Sequence, residues 1–215
     1  MALSPNLKRQ KPCELHSAEW HLRRTKRFCA SEIPSILGCG YESRIKVFRR
    51  KAGLGSPSQM NDDIRRGLNN EKFAFERYEV ERINKGEELT VPSPTQHPRY
   101  SWISATPDFI VWKGDTMVRL GEIKCPRDFY DNVPLKHWIQ MQVQMEVFDM
   151  DESDFVEFVG TRDQNVMRSR RILRDRNFWD TVIFPALEFA AMTAMGVKTR
   201  YFQDHVPEWC AGALQ

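Results

Sequence analysis

The chain has 215 residues, 41% hydrophobic and 28% charged, with a net charge of +3. That suffices for one domain with its own core; it excludes a strongly basic nucleic-acid-binding tail, so a nucleic-acid partner would need a local basic groove. No run of apolar residues is long enough to cross a membrane, and Met1-Ala2-Leu3-Ser4-Pro5-Asn6-Leu7-Lys8-Arg9 lacks the apolar stretch of a secretory signal, so an intracellular protein without a membrane partner is expected.

Residues 1–16 read as an irregular arm, 17–196 as the folded domain and 197–215 as a tail. Ser17 caps a short helix reaching Arg24, with Trp20 on its apolar side. Ser31 is expected to cap a second, from Ile33 to Leu37, which Gly38-Cys39-Gly40 ends. Ser43 to Lys51 suggests a third, basic helix before a Gly53–Ser58 loop. Residues 61–84 give the clearest helix, with Ile64, Leu68, Glu71, Phe75 and Tyr78 along one face. Glu71 stands in the middle of that stripe. A lone buried carboxylate is costly unless it is paired or ligates a metal; alternatively, the stripe's edge reaches the surface and Glu71 merely flanks it.

Trp102 to Ala105 reads as a short strand entering Thr106-Pro107-Asp108. Phe109-Ile110-Val111-Trp112 is apolar and β-prone, Lys113-Gly114-Asp115 carries turn chemistry, and Thr116 to Ile123 alternates into a second strand. A hairpin folded near Gly114 sets Asp108 across from Gly121–Glu122. After Cys125-Pro126, Pro134 begins a helix whose apolar face is Trp138, Met141, Met145 and Phe148, with Gln142 beside it. Residues 154–160 and 166–173 read as strands, and 175–195 as the last long helix. The order points to an α/β fold with a mixed central sheet flanked by helices. Five cysteines, Cys13, Cys29, Cys39, Cys125 and Cys210, form no C-x-x-C pair, which argues for free thiols and against zinc or an iron–sulfur cluster.

Glu122 and Lys124 of Glu122-Ile123-Lys124 point to one face of a strand, and the hairpin brings Asp108 to them. Two carboxylates and an ammonium suit a Mg²⁺- or Mn²⁺-dependent phosphodiesterase, the ammonium orienting water or stabilising charge at phosphorus. A bare E-x-K is more often a pair of solvated charges; the preceding Pro-Asp at hairpin distance is what gives it weight. His97 and His137 are possible general bases, though lone histidines are more often structural. The basic run Arg168, Arg170, Arg171, Arg174 and Arg176 has two open readings, contacts to a DNA backbone or a solvated strand edge. Phe178, Trp179, Phe184 and Phe189 read as core.

Five segments in order resemble the lambda-exonuclease/YqaJ recombinase branch of the PD-(D/E)XK nucleases, from about Trp20 to Phe148. They are Glu19-Trp20-His21-Leu22-Arg23-Arg24 with Ala30-Ser31-Glu32-Ile33; Arg66-Gly67 with Glu71; Ser104-Ala105-Thr106-Pro107-Asp108; Gly121-Glu122-Ile123-Lys124-Cys125-Pro126; and Gln142-Val143-Gln144. The resemblance implies a PD-(D/E)XK nuclease domain in which Asp108, Glu122, Glu71 and the Ile123 carbonyl hold two Mg²⁺ ions. It implies that Lys124 positions the attacking water with help from Gln142, the first glutamine of its segment. Arg24 and Ser31 are implied to bind the 5′-terminal phosphate, with Trp20 and Thr106 beside them in contact with DNA. Thr106 replaces the serine of the best-known member, Phe109 the usual glycine after Pro-Asp, and Ile139 an aromatic residue.

The resemblance thus implies a 5′→3′ exonuclease acting on linear double-stranded DNA to leave 3′ overhangs. It also implies a homotrimer around DNA, a single-strand-annealing partner, and a viral or phage recombination role in a host's cytoplasm or nucleus. The alternatives are an endonuclease of the same fold and a non-catalytic DNA-end-binding module, the latter at odds with clustered acids that repel phosphate in the absence of metal.

Overall fold

The structure, a computed structural model, describes residues 17–25, 27–54 and 62–195. The arm 1–16, the tail 197–215, Cys13, Cys210, Gly196, loop residues 55–58 and the Ile64 side chain lie outside the described residues. The elements run α1 (Ala18–Thr25), β1 (Phe28–Cys29), a 3₁₀ turn (Ala30–Glu32), α2 (Ile33–Ile36), α3 (Arg44–Lys51), α4 (Asp62–Ile83), β2 (Glu88–Thr90), β3 (Thr95–Gln96), β4 (Ile103–Ala105), β5 (Phe109–Lys113), β6 (Thr116–Lys124), α5 (Leu135–Phe148), β7 (Glu152–Gly160), β8 (Asn165–Leu173), α6 (Arg176–Phe178), a π-helical turn (Trp179–Ile183) and α7 (Phe184–Met195).

The expected mixed sheet is five-stranded, in the order β2-β5-β6-β7-β8. Strands β6 and β7 pair in parallel, joined by the crossover helix α5 that such a pair requires, while the other neighbours are antiparallel. The hairpin β5–β6 turns at Gly114, whose φ of +60° is the left-handed conformation a tight turn demands. A second, three-stranded sheet, β1-β4-β3, lies outside the sequence reading except for β4; two-residue strands carry no readable alternation.

Alternation along the central strands divides the core. Phe109, Val111, Ile123, Val156 and Phe158 face α4 with Ala74 and Tyr78, whereas Ile110, Trp112, Leu120 and Phe155 face α5 and α7. Glu122, one step from Ile123, therefore points with Leu120 to the α5 side. The stripe on α4 is shorter than the spacing predicts: Leu68 is exposed, Tyr78 is fully buried and Glu71 is half-buried. Helix α5 is buried on almost every side, Ile139, Gln142, Val143, Gln144 and Val147 included, so the four-residue apolar face read from sequence is too narrow.

Two local corrections follow. The helix beginning at Ile33 takes Glu32 as its N-cap, with no side-chain cap, and Ser31 falls inside the preceding 3₁₀ turn. The last helix is interrupted by the π-helical turn ahead of Pro185, which lacks the N–H an unbroken α-helix would use there. Among the described residues no helix is long and apolar enough to cross a membrane.

Candidate active site

The Asp108 amide donates to the Gly121 carbonyl at 2.9 Å, and Asp108 Oδ2 accepts from the Ile123 amide at 2.6 Å. These bonds fasten Asp108 to β6 beside Glu122 and Lys124. Phe109 leaves Asp108 this close to β6 because Gly121 has no side chain: a Cβ there would stand 1.9 Å from Phe109 Cζ. The ring instead fills that space and packs against Tyr78 and Phe75, with centroids 5.0 and 6.2 Å away.

Glu122 is 1% exposed. Its Oε1 accepts from Gln140 Nε2 at 2.6 Å and from Lys124 Nζ, and its Oε2 accepts from Gln144 Nε2 at 2.6 Å. Burial, then the charges of Glu122 and Glu71, push the Asp108 carboxyl well above the ordinary carboxylate range, against the pull of Lys124 and the Ile123 amide. Burial raises Glu71 as well; Lys124 draws it back and Glu122 pushes it further up. Burial alone would lower the Lys124 pKa, but Glu122, Asp108 and Glu71 outweigh it and hold the ammonium above its usual value. Asp108, Glu71, Glu122 and Lys124 thus form one electrostatic unit.

This unit carries more carboxylate than its one ammonium offsets, which is the chemistry a hard cation relieves. Asp108, Glu122 and Glu71 supply oxygen donors only, and in that respect fit Mg²⁺ or Mn²⁺. Among the described residues, however, no three His, Cys, Asp or Glu side chains already stand at ligand spacing: Glu122 is turned onto Lys124 and the two glutamines, and Asp108 onto the Ile123 amide.

Gln142 is a correction. Its Nε2 donates to the Leu173 carbonyl at 2.9 Å and its Oε1 accepts from the Asp175 amide at 2.7 Å, so it braces the end of β8 on the side of α5 away from Glu122. Two residues along a helix rotate a side chain to the opposite face. Gln140 and Gln144, one turn apart, are the glutamines that meet the carboxylate. The sequence does carry a signal for them: a buried Glu122 on the facing strand demands donors, and a Gln pair at i, i+4 supplies two from one face.

A second group of side chains assembles near Asp108. Arg24 Nη2 donates to Ser31 Oγ at 3.4 Å and Nη1 to Thr106 Oγ1 at 3.5 Å, and the guanidinium lies 4.2 Å from the centroid of the Trp20 ring. Four residues from α1, the 3₁₀ turn and the β4–β5 loop thereby meet, with Thr106 two residues before Asp108. Because Ser31 caps no helix, its hydroxyl is left for Arg24. Glu32 anchors the turn through Lys51 at 2.7 Å and Arg50 at 3.1 Å.

Both histidines are buried structural residues. His97 Nδ1 accepts from the Arg99 and Tyr100 amides. Burial and then the charges of Lys124 and Lys136 push His137 down to about 3, too weak a base for proton abstraction. The thiols of Cys29, Cys39 and Cys125 are free, and burial, then Glu71, pushes Cys125 up to about 12. The arginine run fits neither of its two readings in full. Arg168 and Arg170 hold the fully buried Glu157, Arg171 holds Asp154 and Glu152, Arg174 holds Glu146 and Asp149, and Arg176 pairs with Asp151.

Residues 19–151 match the family described as the YqaJ-like viral recombinase domain. No curated protein matches the chain. Among solved structures it is similar to an alkaline exonuclease (LHK-Exo) from Laribacter hongkongensis, with a TM-score of 0.67 and 23% identity over 82% of this chain and 92% of that one. The structure of LHK-Exo in complex with dAMP gives 0.67 and 24% over the same shares. A phage related exonuclease from Haemophilus somnus 129PT gives 0.52 and 13% over 79% of this chain and 92% of that one. At these identities the likeness is one of fold.

Proposed function

Because the chain belongs to the YqaJ-like viral recombinase family, we propose that it is a metal-dependent deoxyribonuclease that degrades one strand of linear double-stranded DNA from its 5′ end. The reading rests chiefly on one observation, the convergence of Asp108, Glu122, Glu71 and Lys124, with Asp108 two residues beyond Thr106 of the Arg24–Ser31–Thr106 cluster.

Asp108, Glu122, Glu71 and the Ile123 carbonyl would hold Mg²⁺, with Mn²⁺ as a substitute, and two ions fit the acid count. When bound, the metal supplies Lewis-acid charge at the phosphate and a more acidic water. Lys124 stays an ammonium, so its part is to donate hydrogen bonds to the water or the phosphate rather than to accept a proton. Gln140 and Gln144 fix the Glu122 carboxylate in one orientation. Arg24 offers its guanidinium, and Ser31 and Thr106 their hydroxyls, to a terminal phosphate. Anchoring that phosphate keeps a strand end beside the acids and favours stepwise removal of nucleotides, leaving 3′ overhangs for single-strand annealing. A homotrimer around DNA, an annealing partner protein and an intracellular location belong to the same reading.

The test uses linear, 5′-phosphorylated duplex labelled at either end, in Mg²⁺ and then EDTA, with Lys124→Ala alongside and a covalently closed circle as control. Expected is Mg²⁺-dependent loss from the 5′ end of linear DNA alone, absent in Lys124→Ala. Cutting of the circle would replace this reading by an endonuclease, and end binding without cleavage by a binding module.

A further inference from the structure

Tyr41, between α2 and α3, is 76% exposed. A single exposed tyrosine is ordinary, but this one is held in place: Lys136 Nζ, in the first turn of α5, stands 3.7 Å from the centroid of its ring. Its ring lies 6.3 Å from that of His137, which lies 5.9 Å from that of Tyr130. His137 lies one helical turn before Gln140, which bonds Glu122, and the Tyr130 amide donates at 2.8 Å to Glu157, the residue paired with Lys124 between β6 and β7. The exposed Tyr41, with Lys136, therefore stands over a buried histidine that leads back to the candidate active site.

The chemistry of Tyr41 and Lys136 is that of a nucleotide subsite. An aromatic face accepts any base by stacking, and a neighbouring ammonium takes the phosphate. The Lys136 ammonium covers one side of the Tyr41 ring, and the ring's large exposure leaves area for a flat partner. His137, buried and neutral, backs the pair without adding charge. Lys136 begins the helix whose Gln140 and Gln144 hold Glu122, so a strand held there would pass the acids.

Resting on the exonuclease reading, we infer that Tyr41 and Lys136 form a stacking subsite for an unpaired nucleotide next to the scissile phosphate: the base lies on the Tyr41 ring and Lys136 holds the flanking phosphate. The subsite favours DNA ends whose terminal pairs are open and reads no sequence.

The test is a binding experiment, with every protein silenced by Lys124→Ala and kept in Mg²⁺. The ligand is a duplex with a short unpaired 5′-phosphorylated end carrying 2-aminopurine. Binding by the parent should quench the fluorophore. Tyr41→Ala should abolish the quench and weaken binding about tenfold, while Tyr41→Phe keeps both. Lys136→Met should lower the salt dependence by about one phosphate contact. Unchanged quench and affinity in Tyr41→Ala, with the parent binding normally, would overturn this inference alone, whether the surface is idle or serves a protein partner. Failure of the parent to bind DNA ends would overturn the exonuclease reading along with it. Circular dichroism checks that each exposed-site variant remains folded.

Discussion

Gly121→Ala is the substitution with the best-defined consequence. The new Cβ would stand 1.9, 2.1 and 2.5 Å from three ring atoms of Phe109, where real contacts under 3.0 Å essentially never occur. The ring must therefore retreat by about an ångström, yet it is fully buried against Tyr78 and Phe75. Overpacking of this kind costs about 1–3 kcal/mol, enough to lower the urea midpoint by roughly 1 M. Phe109→Ala alone empties the same space and should cost about 3–5 kcal/mol. In the double variant Gly121→Ala/Phe109→Ala the methyl enters the space the ring vacated. Its total cost should fall short of the sum of the single costs by about 1–3 kcal/mol. Urea unfolding followed by circular dichroism and fluorescence reads all four proteins. A Gly121→Ala protein unfolding at the wild-type midpoint, or a strictly additive double variant, would refute the argument that glycine is retained there to admit the ring.

Other expectations follow from the same geometry. Gln144→Leu should reduce turnover about tenfold or more, whereas Gln142→Leu should destabilise by about 1–3 kcal/mol through the orphaned Asp175 amide and Leu173 carbonyl and leave turnover of the folded protein near wild type; paired kinetics and urea unfolding decide, and loss of turnover in Gln142→Leu with Gln144→Leu active would restore Gln142 to the active site. Tyr78→Phe removes the 2.6 Å bond from the phenol to Asp154 and should cost about 1.5–3 kcal/mol near neutral pH. Burial alone would raise Asp154, but its bonds from Tyr78, Arg119 and Arg171 hold it below the ordinary 3.8. A depressed carboxylate stabilises above its unfolded pKa and loses that contribution as pH falls through the native value. The gap between Tyr78→Phe and wild type should therefore narrow as pH is taken progressively below the ordinary carboxylate range, and a gap that widens in acid would contradict it. Mg²⁺ should raise the melting temperature of wild type, and EDTA should reverse this; Asp108→Asn should abolish the shift, and a persistent shift in that variant would place the cation elsewhere.

The hairpin was legible because each of its parts has a local cause: alternation in β5 and β6, and a turn that requires glycine. Asp108 and Lys124 could be read together because strand geometry fixes their separation. Arg24, Ser31 and Thr106 were legible only by resemblance, since nothing in their spacing predicts that three separate elements meet. Helix α5 defeated amphipathic reading because it is enclosed by the sheet, α2 and the β8–α6 corner. With apolar residues on every side, periodicity could not tell Gln142 from its neighbours at 140 and 144. The arginines of β8 misled for a similar reason: their partners Asp154 and Glu157 are buried in β7, and a strand pattern that includes acids gives no hint of which residues they will pair with.

The two sides of α5 carry a consequence for how this family can vary. Gln142 ties the helix to the corner after β8, and Gln140 with Gln144 ties it to the acid on β6. A one-residue insertion or deletion within the helix would turn everything beyond it by about 100°, releasing one anchor or the other. Substitutions that keep these bonds can accumulate along α5, but the count of residues between Gln140 and Gln144 is locked by the acid on β6 on one side and the corner after β8 on the other.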